Sequence, residues 1–79
     1  MDAQEIQHRI QELVAQEQAL REEDPGPDPE KHAAELRRIE EQIDQHWDLL
    51  RQRRAKADAG QDPDEAQERP VGEVEGYRQ

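Results

Sequence analysis

LRRIEEQIDQHWDLLRQRR, residues 36–54, holds the only Trp of the chain and, toward its end, the densest group of basic residues. Leu36, Ile39, Ile43, Trp47 and Leu50 recur at steps of three and four, which places them on one face of an α-helix. Arg51, Arg53, Arg54 and Lys56 follow where that apolar face gives out. Packing accounts for the first half of the stretch. The second half calls for a partner.

Working outward, the composition allows one small domain with a thin core. Of 79 residues, 41% are charged and 30% hydrophobic, with neither Phe nor Cys. So few large apolar side chains scarcely offset the entropy of ordering two helices, so self-association or a docked partner is expected. Without Cys there is neither a disulfide scaffold nor a thiolate metal site or nucleophile. Apolar runs are far too short for a signal-peptide core or a membrane span, and a cytoplasmic protein is the expectation. A net charge of −10 opposes nucleic-acid binding over the whole surface.

Before the central stretch, Asp2 can cap a helix, with Glu5 reaching back as in a capping box. Ala3, Ile6, Ile10, Leu13, Glu17 and Leu20 then form a heptad seam with one charged interruption, widened by Val14. Pro25, Gly26 and Pro27 end that helix. Asp28-Pro29-Glu30 starts the next, and Gly60 is suited to cap its C-terminus. The pattern predicts an all-α fold, an antiparallel two-helix hairpin over residues 1–60, with helices at about 3–23 and 29–59. In that register Leu20 lies near Leu36, Leu13 near Ile39 and Ile43, and Ile6 near Trp47 and Leu50. The longer second helix overhangs its partner by roughly 15 Å at 1.5 Å per residue, and the overhang is the basic segment.

Residues 61–79 are expected to form a short helix and an acidic, partly mobile tail. Asp62-Pro63-Asp64-Glu65 repeats the helix-start signal, and Pro70 stops it after about two turns. From Asp58 onward seven acids face only Arg69 and Arg78, a net −5, whereas residues 51–57 carry +4 with no acid. A tail of that charge can fold back onto the basic helix end and mask it.

The strings DQHWDLLRQRRA (residues 44–55) and VEGYRQ (74–79), together with Asp62-Pro63-Asp64 and the opening Asp2-x-x-Glu5-Ile6, resemble a family of small actinobacterial proteins, domain-of-unknown-function family 2630. The resemblance spans nearly the whole chain and implies a bacterial cytosolic helical hairpin with no established activity. The family commonly has Cys where His46 stands and His near Gln18, so the resemblance implies no chemistry at those positions.

Chemical sites are sparse. His8, His32 and His46 lack the close spacing of zinc ligands, so no metal and no cofactor is expected. Glu40, Asp44 and Asp48 share a helix face, with Arg51 at i,i+3 from Asp48, and are expected to be solvated and salt-bridged rather than catalytic. Leu49 lies off the main stripe and widens the apolar surface.

The chain is therefore expected to be a non-enzymatic helical protein-interaction and oligomerisation module. Ile6, Ile10, Leu13, Leu36, Ile39, Ile43 and Leu50 form its core or interface. Trp47, Arg51, Arg53, Arg54, Lys56 and Tyr77, with Val74, are its partner-binding residues. Its expected partners are a second copy, giving a four-helix bundle as a homodimer, or another protein. The alternative is an RNA- or ribosome-associated accessory factor that grips phosphates with the same arginines.

Overall fold

The structure is a computed structural model, and it describes residues 1–70. Among them the element order is α1 (Ala3–Glu22), α2 (Pro29–Asp58) and a single 3-10 turn at Pro63–Glu65, with no strand. The expected tail contacts of Val74 and Tyr77 lie outside the described residues.

Local chemistry sets each helix end. Asp2 accepts from the Glu5 amide at 2.8 Å while the Glu5 carboxylate accepts from the Asp2 amide at 3.3 Å, completing the capping box. At the far end of α1 the chain turns extended at Glu23, and Asp24 accepts from the Gly26 amide at 2.9 Å. Gly26 takes φ +73 between its two prolines, a conformation that suits glycine. His32 of α2 donates its ring Nε2–H to the Leu20 carbonyl at 2.7 Å, beside the Glu23 amide that donates to the same carbonyl at 3.2 Å, which ties α2 to the end of α1.

Asp28 caps α2 through the Lys31 amide at 3.1 Å, with Pro29 at the first helical position. Replacing it, Asp28→Ala, is expected to cost about 0.5–2 kcal/mol, read as a lower urea midpoint by circular dichroism. An unchanged midpoint would show that Pro29 alone suffices to start the helix. At its C-terminus the Gly60 amide donates to Ala57 and the Gln61 amide to Lys56, at 3.1 and 2.7 Å, with Gly60 at φ +75. This is a Schellman close, which reverses the chain toward α2.

The seam is antiparallel. Ile6 and Ile10 pack with Leu49, and Val14, Trp47, Leu50 and Ala66 border them. Leu13 and Ile43 are also buried, while Leu36 and Ile39 are half-buried. Arg21 joins the other end by reaching Glu17 on its own helix and Glu40 on α2. The core side chains Ile6, Ile10, Leu13 and Ile43 are buried within a single copy of the chain.

Two expectations need correction. Asp44 and Asp48 are not solvated: both are buried, Asp48 with no exposed surface at all. Leu49 is likewise core rather than a lateral extension of the stripe. The covering of Asp48 by Arg69 and of Leu49 by Ala66 has one cause. Residues 66–69 return along α2 on the side that α1 does not cover. The 3-10 turn also stays short, because the Gln67 backbone bonds to Gln52 of α2 instead of continuing a helix.

Candidate functional site: the open end of helix 2

Because α1 begins at Ala3 and α2 runs on to Asp58, the last turns of α2 extend beyond α1 and are met there by the 3-10 turn alone among the helical elements described. A groove of about 810 Å³ opens there. Its walls are Ala3 and Gln7 of α1, Trp47, Leu50, Arg51, Arg53, Arg54, Ala57 and Asp58 of α2, and Pro63 beyond the turn. Trp47 and Leu50 continue the hairpin seam into it as half-buried surface. The groove therefore has an apolar floor and an arginine rim, the mixture through which helical surfaces commonly anchor a partner.

The structure brings Trp47, Arg51, Arg53 and Arg54 to this one groove. Arg51 and Arg54 are exposed. Arg53 is turned inward, its side chain 15% exposed, and its Nη1 donates to the Met1 carbonyl at 2.8 Å, the Pro63 carbonyl at 3.3 Å and Asp64 at 2.9 Å. It ties the N-terminus, α2 and the 3-10 turn together. Lys56 is half-buried away from the groove lining and supplies its carbonyl to the helix cap. Tyr77 lies outside the described residues.

Sequence reasoning missed the polar strap beside the groove. Gln45, Asp48 and Gln52 lie at steps of three and four on α2, and all three bind residues 67–69. The Gln52 amide meets both backbone groups of Gln67, accepting at 3.3 Å and donating at 2.5 Å, and also donates to Asp48 at 2.8 Å. Gln45 donates to the Arg69 carbonyl at 3.2 Å. Arg69 grips Asp48 with two parallel bonds, Nε to Oδ2 at 2.8 Å and Nη2 to Oδ1. The Arg69 bonds hold the Asp48 carboxyl below its ordinary value, against burial, which pushes it up; the Gln52 bond adds to the lowering. The one available signal was a lone arginine just before Pro70 in an acidic run.

His46 donates its ring Nδ1–H to the Gln42 carbonyl at 2.7 Å, so like His32 it is engaged with backbone. Among the described residues no three His, Asp or Glu converge as metal ligands would, and no helix is long and apolar enough to cross a membrane.

Residues 2–79 match the family described as "Protein of unknown function (DUF2630)". The chain is also 49% identical over 78 residues to the uncharacterized protein Rv0898c of Mycobacterium tuberculosis, covering 96% of this chain and 88% of the relative. The uncharacterized protein Mb0922c of Mycobacterium bovis is similar to the same extent. No solved structure matches the chain. With the family match spanning both helices, the strap and the groove, this chain belongs to the DUF2630 family.

Proposed function

We propose that this protein is a non-enzymatic, cytoplasmic helical interaction module whose working surface is the groove at the open end of α2. One observation supports the reading: beside the first turns of α1 the apolar seam comes to the surface as the half-buried Trp47 and Leu50, bordered by the exposed Arg51 and Arg54. The chemistry elsewhere suits structure rather than turnover, since Asp48 is neutralised by Arg69 and two histidines serve backbone carbonyls. The RNA- or ribosome-binding alternative draws on the same rim. The net charge of −10 and the engagement of Arg53 by Asp64 weigh against it.

A photo-cross-linking residue at position 54, introduced in the source cells, is expected to give a discrete adduct that is missing when the residue sits at position 30. A protein adduct, or one of twice the chain mass, supports the interaction module. An adduct that ribonuclease shifts would replace this reading with the RNA-associated one. Equal labelling from both positions would remove the groove from consideration.

A further inference from the structure

The nature of the partner can be narrowed, on the premise that the groove is the working surface. We infer that the groove takes an acidic, extended or helical peptide segment of another protein, and that Asp64 is a built-in stand-in for one of its carboxylates. Arg53 on the rim already holds a carboxylate, that of Asp64 at 2.9 Å, beside the Met1 and Pro63 carbonyls. Asp64 reaches it from a surface turn while remaining 74% exposed, so the bond can be exchanged without opening the core. Pro63, next in the chain, forms part of the groove wall, which puts the exchange at the edge of the site itself.

Charge complementarity sets the sign of the occupant. Arg51, Arg53 and Arg54 line the groove against a single acid, Asp58, on a chain whose net charge is −10. That local reversal of sign selects carboxylates, and guanidinium groups present the planar fork that binds them bidentately. Trp47 and Leu50 add an apolar floor, so the segment must also carry at least one large apolar side chain. An acidic amphipathic segment meets both requirements, placing its apolar residue on Trp47 and its carboxylates on Arg54 and Arg53. Taking Arg53 from Asp64 loosens one tie of the 3-10 turn, so binding and attachment of the turn oppose one another.

The test uses the full chain and a displayed library of random twelve-residue peptides. Selected peptides are expected to be rich in Asp and Glu around a Trp, Phe or Leu, and to be lost when the target is Arg54→Glu. Affinity of the best peptide, measured through Trp47 fluorescence, should rise about two- to fivefold in Asp64→Asn, because an exposed ion pair no longer competes. Asp64→Asn keeps the backbone contacts of the turn, so a folding defect does not confuse this arm. Peptides that need Arg54 but carry no acids, or an Asp64→Asn affinity that is unchanged or weaker, would overturn the inference while leaving the groove as an interaction site. Selected peptides that bind Arg54→Glu as well as the native chain would overturn it too, by showing that acidic peptides bind elsewhere. Whether the groove is used at all is decided separately, by the cross-linking at position 54.

Discussion

Leu13→Ala is expected to leave the protein only marginally folded at 25 °C. Leu13 has no exposed surface and sits midway along α1, where the seam has no slack to close over a lost isobutyl group. Comparable truncations cost about 2–5 kcal/mol, the transfer term plus the cavity left behind. A chain of this size holds roughly 4–12 kcal/mol in total at ordinary stabilities per residue, and its buried apolar side chains are few. Most of the helical circular dichroism should therefore be lost at a urea concentration that native protein withstands, with Trp47 fluorescence following the same curve. Ile10→Val, at a neighbouring seam position, should cost only about 0.5–1.5 kcal/mol and serves as the internal scale. A Leu13→Ala loss no larger than that of Ile10→Val would mean that the two helices slide to refill the seam.

The hairpin was legible in the sequence because its signals are local. Asp2 with Glu5, the Pro25-Gly26-Pro27 break, Asp28-Pro29 and Gly60 act within a turn of themselves, and the structure places caps or turns at each. The seam was legible because Ile6, Ile10, Leu13 and Ile43 obey helical spacing, and all four are buried. The overhang followed from the difference in helix length. What could not be read was the second cover on α2. Residues 66–69 dock through backbone groups, one small side chain and a guanidinium, none of which leaves a periodic hydrophobic mark. From sequence, Gln45, Asp48 and Gln52 therefore look like any wet helix face, and Leu49 looks stray. The groove was half legible for the same reason. Arg51 and Arg54 lie on the overhang as expected, but the inward turn of Arg53 depends on where the Gly60 reversal delivers Asp64, a matter of three-dimensional direction rather than composition.

Arg69→Ala should be the most damaging change outside the apolar seam, and its cost should depend on pH. Removing the partner of a buried charge costs about 3–5 kcal/mol in closed interiors. Here the strap can let go and admit water to Asp48, and the Arg69 side chain is already 39% exposed, so a loss of about 2–3 kcal/mol is expected. Helix content should change little, whereas amide protection at Gln67 should vanish, because its bonds to Gln52 depend on the docked strap. Asp48→Asn keeps a side chain of the same shape and should cost less, about 1–2 kcal/mol. The sign of the pH effect follows from the direction of the Asp48 shift. Its carboxyl is held below the ordinary value in the folded chain, so the pair's contribution is complete above about pH 4 and disappears as pH falls through the lowered folded value. The stability gap between native protein and Asp48→Asn, measured by urea unfolding, should therefore be constant from neutral pH down to about 5 and should close as the solution is taken toward about pH 2. A gap that stays constant over the whole range would mean that the Asp48–Arg69 bond contributes shape alone, and that the strap is held by Gln45 and Gln52 without the charge.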